Sequence, residues 1–401
     1  MDWGDTPEQV AFRQEVRDFL NAELPEHYQR DEVDVREDAD WQIDRALGTT
    51  EDQAAAEEWL QAMSRQAWVA PHWPEEYGGG GLSTIEQFIL RQEMARRGVP
   101  VVNSFGVNMF GPTLIAHGSD AQRTELLPSI ITGESVWAQG YSEPAAGSDL
   151  AALQLRAERD GDEYVLNGQK IWSTGAHTST GMYLLARTDP GAPKHRGISF
   201  LYLHDLKAPG ISVRPLINMA FEHHFNEVFF EDVRVPTDQR VGAENGGWYV
   251  AMTLLDNERS NIAGAVTARR DVRRLLNVLR ETGTSLASAS RGDLADRWIE
   301  SEVGLNFSFR VASLQSACLP FSAESSVSRL FGTELAQRVA RSGVRALGLY
   351  GGLLDEADGY APARSRFAWL YLRTVSATIG GGTAEIQRNI IATRGLGLPR
   401  G

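Results

Sequence analysis

Hydrophobic positions along the chain change period twice. Through the first third they recur at helical spacing. Thr6-Pro-Glu-Gln9 reads as a helix start, with a hydroxyl cap, proline in the first turn and glutamine at the reciprocal position. Phe12, Val16, Phe19 and Leu20 then share one apolar face. Residues 30–57 are acidic and weakly patterned, and read as a loop or surface insertion. Helical patterning returns near 54–68, then at 83–97, 104–117 and 120–132. The glycine run 78–81 reads as a turn, because a phosphate cradle would want a preceding strand and a Lys/Ser partner.

Residues 135–240 predict short strands at 135–141, 153–159, 163–166, 169–173, 182–187, 197–203, 211–217 and 225–231, punctuated by Gly, Pro and Asp. The Asn167-Gly168 pair predicts a two-residue hairpin that returns Trp172 to the start of its segment. No long helix interrupts, so a β-barrel-like domain is expected rather than a βαβ unit. From Gly246 the pattern is helical again, at 247–280, 293–318, 324–349, 362–376 and 383–393. Phe331, Leu335 and Val339 mark an inward face, and short connections suggest an antiparallel four-helix bundle. The expected class is α+β, mostly α: an N-terminal helical domain over 1–133, a middle β-barrel-like domain over 134–242 and a C-terminal bundle over 243–401.

A chain of 401 residues, 42% hydrophobic and 23% charged, can bury a large core. Its net charge of −14 argues against nucleic acid and anionic membranes as general partners. Cys318 is the single cysteine, which excludes an internal disulfide and reads as a small apolar residue on a helix. The polar start is unlike a signal peptide and no apolar run approaches transmembrane length, so a cytoplasmic protein is expected. His223-His224 read as surface or pocket-lining residues, and no metal site is expected.

Two polar, glycine-bearing clusters stand out in the middle region. They are Gln139-Gly-Tyr-Ser-Glu-Pro-Ala-Ala-Gly-Ser148-Asp149 and Asn167-Gly-Gln-Lys-Ile-Trp172-Ser-Thr174. A flat aromatic ring beside small hydroxyls and backbone amides suits a planar heterocycle with polar edges. Farther on, Glu258 has Leu254, Leu255 and Ile262 at helical spacing, so its carboxylate falls on an apolar stripe. On position alone it is either a functional acid or one half of an ion pair.

These clusters, with Phe229-Phe-Glu-Asp-Val-Arg-Val-Pro236, Asp256-x-Glu-Arg259 and Gly382-Thr-x-Glu-Ile-Gln-Arg388, resemble the acyl-CoA dehydrogenases, a family of flavin enzymes. The resemblance runs over nearly the whole chain. It implies FAD as cofactor, an acyl-CoA substrate, an electron-transfer flavoprotein as acceptor, and the family fold. It implies flavin contacts at Gln139, Tyr141, Ser142, Gly147, Ser148, Trp172, Ser173, Thr174, Thr383 and Glu385. Of these, the Gln139 to Ser142 backbone would edge the ring, Trp172 would lie on its dimethylbenzene end, and Ser148 would sit where flavin and substrate meet. It implies CoA contacts at Asp256 and Arg259. Arg269, Arg270, Arg273 and Arg274 extend a basic face on the same helix that either meets CoA phosphates or is solvated, and solvation is expected.

Most of the family carries its catalytic glutamate in a C-terminal motif whose position here is Gly381, which has no side chain. Long-chain and isovaleryl-type members carry it at the position of Glu258, which makes Glu258 the expected base. The Gly381 amide is then expected to donate to the thioester oxygen, a contact worth about 3 kcal/mol. The family's Arg-x-x-Phe-Gly segment is missing from Arg280-Glu-Thr-Gly-Thr-Ser-Leu-Ala287. Bacterial steroid side-chain dehydrogenases resemble this chain in that absence and in the Gly-Gly-Gly-Thr motif. This implies a bulky, branched or long acyl group, and either a homo-oligomer or a heterotetramer with a homologous subunit. A non-catalytic partner subunit and a related flavin oxidase or monooxygenase are the alternatives.

Overall fold

The computed structural model describes residues 4–29, 37–257, 262–283, 288–355, 357 and 359–399. Its helices are α1 (Pro7–Glu23), α2 (Trp41–Leu47), α3 (Thr50–Arg65), α4 (Thr84–Arg97), α5 (Gly111–His117), α6 (Asp120–Ile131), α7 (Gly247–Asn257), α8 (Ile262–Glu281), α9 (Ser288–Ser316), α10 (Ser322–Ala346), α11 (Arg366–Arg373) and α12 (Ala384–Ile390). Its strands are β1 (Trp137–Gly140), β2 (Arg156–Asp160), β3 (Glu163–Lys170), β4 (Gly181–Arg187), β5 (Ile198–Leu203), β6 (Ile211–Ile217), β7 (His223–Pro236) and β8 (Arg240–Val241). Thr6, Thr49, Ser83 and Ser119 open α1, α3, α4 and α6 with reciprocal capping boxes. Each such cap contributes about 0.5–2 kcal/mol.

The chain forms two compact units. One comprises Met1–Ala39, Leu82–Pro100 and Arg259–Gly401, the other Asp40–Gly81 and Val101–Glu258.

The second unit is built on one sheet, in the order β6-β7-β3-β2-β4-β5-β8, with β1 beside β4. This sheet does not close, which corrects the expected barrel. The hairpin also lies elsewhere than expected. Asp160 pairs with Glu163 around Gly161-Asp162, and Gly161 takes the left-handed φ of +64° that such a turn needs. Asn167-Gly168 instead interrupts β3 as a bulge against β7, with Gly168 at φ +140°. The segment 163–170 is therefore one strand where two were expected.

Ala157, Tyr164, Leu166, Met182, Leu184 and Val235 fill one side of the sheet. Phe110 stacks with Tyr183 at 5.2 Å and tilts on Trp137 at 4.3 Å. Part of the expected 30–57 loop is helical: Asp40 caps α2, and the Trp41 indole, almost fully buried, donates to Ala56 O at 2.9 Å.

In the first unit α8 packs on α4, α9 and α10, and α10 on α11 and α12. Leu335 and Val339 face inward with Val272, Ala268 and Phe331, as their spacing predicts. Cys318 is exposed in a turn after α9, with φ +54°, so it does not lie on a helix as expected.

The basic face of α8 is not simply solvated. Arg270 and Arg274 are buried. Asp271 Oδ1 accepts from Arg274 at 3.1 Å and from Arg366 at 2.8 and 2.7 Å. Arg270 pairs with Asp38 and donates to Ala95 O at 2.9 Å. Burial, with Arg366 close by, pushes the Arg274 guanidinium down to about 10. Arg269 pairs with Glu302 at 2.9 Å and lies over the Trp298 ring. One uncompensated member would leave a buried charge exposed to a low dielectric. Asp271→Ala is therefore expected to cost about 3–5 kcal/mol, read as a lower denaturant midpoint.

Candidate functional site

The two polar clusters are joined by an ion pair. Lys170, at the end of β3, is fully buried, and its Nζ lies 2.7 Å from Glu143 Oε1 and 3.2 Å from Tyr141 O. Glu143 also accepts from Gln154 N at 2.6 Å and Leu155 N at 2.9 Å. One carboxylate thus ties the chain after β1, the approach to β2 and the end of β3. Burial pushes the Lys170 ammonium down to about 8, against the pull of Glu143. Alongside, Ile171 N donates to Ser142 O at 2.9 Å, and Glu143 and Ala146 exchange two backbone bonds of 3.0 Å. Sequence reasoning assigned Glu143 and Lys170 no role. The available signal was opposite charges, one in each cluster, in otherwise small or apolar surroundings.

The clamp leaves a set of polar and aromatic groups facing outward. Ser142 and Thr174 are half-buried, and Gly147 and Ser148 are exposed. Among the described residues no protein group hydrogen-bonds the hydroxyls of Ser142, Ser148 or Thr174. Trp172 is 54% exposed, stands edge-on to Phe225 at 5.7 Å, and has φ +60°. A left-handed backbone costs a bulky residue on the order of 1–2 kcal/mol. Ser173 is buried, and its hydroxyl has no partner. Tyr141 turns its ring inward onto Tyr183 and Phe200, and Gln139 Nε2 donates to Tyr183 Oη at 3.3 Å. At both positions the backbone is what remains for a ligand.

Gly381, Thr383 and Glu385 belong to the first unit. Gly381 has φ +65° and Gly382 φ +91°. The Arg329 guanidinium occupies the room a Cβ at Gly381 would need, and it donates to Gly380 O at 2.5 Å. Arg329 belonged to no motif and was missed by sequence reasoning. Thr383 Oγ1 caps α12, accepting from Ile386 N at 3.2 Å. A backbone hydrogen bond and the Thr383 hydroxyl hold Glu385 below the usual carboxylate range. Glu258 and Arg259 lie outside the described residues, as does the Asp256 side chain.

Known proteins match all of this chain's length. Residues 6–134 match the acyl-CoA dehydrogenase N-terminal domain, 138–233 the middle domain and 245–396 the C-terminal domain. The chain belongs to the acyl-CoA dehydrogenase family. It is 39% identical to acyl-CoA dehydrogenase IpdE1 of Mycobacterium tuberculosis, over 85% of this chain and 88% of that one. It is 31% identical to the mitochondrial isovaleryl-CoA dehydrogenase of Pongo abelii, over 79% and 76%. Among solved structures, the Tcur3481-Tcur3483 steroid ACAD superposes with a TM-score of 0.86 at 32% identity, covering 100% of both chains. The ChsE4-ChsE5 complex from Mycobacterium tuberculosis superposes with a TM-score of 0.81 at 33% identity, again over 100% of both.

This chain is accordingly an oxidoreductase, and FAD is the cofactor of its family. The outward groups fit a flavin: an exposed indole supplies a flat apolar face, and three hydroxyls without protein partners supply polar edges. No helix among the described residues is long and apolar enough to cross a membrane.

Truncating one side of the clamp separates its structural role from ligand contact. Lys170→Met leaves the Glu143 carboxylate buried with two amide donors and no cation bonded to it. The expected loss is about 3–5 kcal/mol in denaturant unfolding of the FAD-free chain. Adding Glu143→Gln to that variant is expected to recover part of the loss.

Proposed function

We propose that this protein is an FAD-dependent acyl-CoA dehydrogenase that introduces an α,β double bond into a CoA thioester. The observation that carries this reading is the clamp, which holds two clusters side by side with their hydroxyls and indole facing outward. Bound FAD supplies the acceptor for the β hydride. Trp172 would lie against the dimethylbenzene end of the ring, with Ser142, Ser173, Thr174 and the backbone of Gln139 and Tyr141 at its polar edges. Gly147 and Ser148 would lie where cofactor and substrate meet, and Thr383 and Glu385 would make further FAD contacts.

Removal of the α proton needs a carboxylate with a raised pKa. Position 381, where most of the family carries it, has no side chain and a left-handed backbone. Glu258 is the proposed base, and its apolar helical neighbours would disfavour the charged form before substrate binds. Among the described residues no group accepts from the Gly381 N–H, so that amide is available to donate to the thioester oxygen and stabilise the enolate. Asp256 and Arg259 would hold the CoA moiety.

The acyl group is proposed to be bulky, such as a steroid side chain. Similarity over the full length to a solved steroid ACAD supports this. A heterotetramer with a homologous subunit is proposed from the missing Arg-x-x-Phe-Gly segment and the likeness to the ChsE4-ChsE5 complex. An electron-transfer flavoprotein in the cytoplasm is the proposed acceptor, and the three-part division at 1–133, 134–242 and 243–401 is retained as a proposal.

Glu258→Gln tests the assignment. The variant is expected to keep its visible flavin spectrum and to bleach at least about 10²–10⁴-fold more slowly with a panel of acyl-CoAs. Undiminished bleaching would show that another residue takes the proton. A colourless protein, alone and with a partner subunit, would remove the dehydrogenase reading.

A further inference from the structure

Behind the indole loop 172–174 lies a chain of polar groups that the proposed reaction does not use. Asn226, on β7, is fully buried and grips Ser173 by both backbone groups. Ser173 N donates to Asn226 O at 3.0 Å, and Asn226 Nδ2 donates to Ser173 O at 2.9 Å. The same amide meets two imidazoles: Nδ2 lies 3.1 Å from His177 Nδ1, and Oδ1 lies 2.8 Å from His223 Nε2. The two rings stack at 3.8 Å.

The bonding fixes which atom donates at each contact of this chain. Ser173 O only accepts, so the atom facing it is the amide nitrogen. That nitrogen's second hydrogen points at His177 Nδ1, which must present its lone pair. The amide oxygen only accepts, so His223 Nε2 carries a hydrogen. His177 is therefore neutral, with its proton on Nε2, and His223 presents an N–H at Nε2. A proton on His177 Nδ1 would set N–H against N–H. Flipping the amide to relieve this would break the bonds to Ser173 O and to His223 together.

We propose that Asn226 is a positioning residue for the cofactor loop 172–174, and that it holds this loop only while His177 is neutral. This rests on the flavin reading of that loop. The grip on Ser173 is what keeps the neighbouring Trp172 in its left-handed conformation with the indole exposed. His177 belongs to the turn Ala176–Thr178, against which α2, β1, β6 and β7 pack. The Asp40 carboxylate at the start of α2 and His223 on β7 are the charged or titratable groups acting on it. β6 carries Arg214, whose guanidinium lies over the Phe229 ring at 4.5 Å, and β1 carries no charge.

Burial, and then His223, lower the His177 pKa below its ordinary 6.5. The sign follows. Above pH 6.5 the ring is neutral folded or unfolded, and its contribution to stability is complete. As pH falls below that value the unfolded chain takes the proton first, so the contribution is lost progressively toward the folded pKa.

The test uses the FAD-loaded protein titrated between about pH 8 and pH 5, followed by flavin fluorescence and the visible band. Wild type is expected to release FAD about tenfold more readily below the transition, the size of one lost hydrogen bond. His177→Phe keeps an aromatic ring but cannot titrate, and its FAD affinity is expected to be lower throughout and flat with pH over this range. An unchanged pH step in His177→Phe overturns the proposal. So does a ¹⁵N spectrum of the wild-type imidazoles that places a proton on His177 Nδ1 at neutral pH. A protein that takes up no FAD overturns the flavin reading. The latch is then decided by exchange of the Ser173 amide hydrogen, which must quicken in acid in wild type and not in His177→Phe.

Discussion

One buried ion pair sets the geometry of the middle region. Moving an ammonium and a carboxylate out of water costs several kcal/mol each, and their attraction repays this only with good geometry and further hydrogen bonds. Glu143 and Lys170 meet that condition. The carboxylate takes two backbone amides besides the ammonium, and the ammonium takes the Tyr141 carbonyl. The pair adds little net stability over an apolar substitute, but it fixes which chain segment lies beside which. A Leu–Met pair would fill the same volume without specifying that Ser142 faces Ile171. The two motif charges thus act on the backbone around them, by making its register unique.

Around that clamp the loops carry conformations that the sequence does not favour locally. Trp172 is left-handed and half-exposed, and it is followed by a buried serine whose hydroxyl has no protein partner. Each feature costs free energy, on the order of 1–3 kcal/mol. They persist because Lys170 anchors the chain two residues before the indole and Asn226 anchors it one residue after. A loop held at both ends in a strained state is pre-organised for its ligand, since little conformational entropy remains to be lost on binding.

Much of this was legible in the sequence. The helix starts at Thr6 and the inward row of Leu335 and Val339 follow from capping and period, which are local. Several of the failures share a cause, which is that pairing partners are distant in sequence. Asn167-Gly168 carries the strongest local turn signal, but β7 supplies a long complementary edge and draws β3 through it, leaving a bulge. Gly161 supplies the positive φ that the actual turn needs. Arg270 and Arg274 look solvated on a helical wheel, because Asp38, which pairs with Arg270, and Arg366, which shares the Asp271 carboxylate with Arg274, lie far away in the chain. The polar clusters are visible in the sequence; the clamp that joins them and the His177–Asn226–His223 chain are not, since each needs contacts across tens of residues.

Position 381 shows how backbone conformation constrains chemistry. A residue can serve as a base only where its backbone admits a side chain and the space is free. Here φ is +65° and a guanidinium stands in the Cβ position, so a glutamate would have to displace Arg329 and strain the turn at once. What the left-handed glycine offers instead is its N–H, and Arg329 holds the preceding carbonyl so that the turn keeps its shape. In the proposed reaction the two duties usual at that position are separated: proton removal passes to Glu258 and oxygen stabilisation stays at Gly381. In that proposal no carboxylate side chain at position 381 would compete with a branched or ring-bearing acyl group for room.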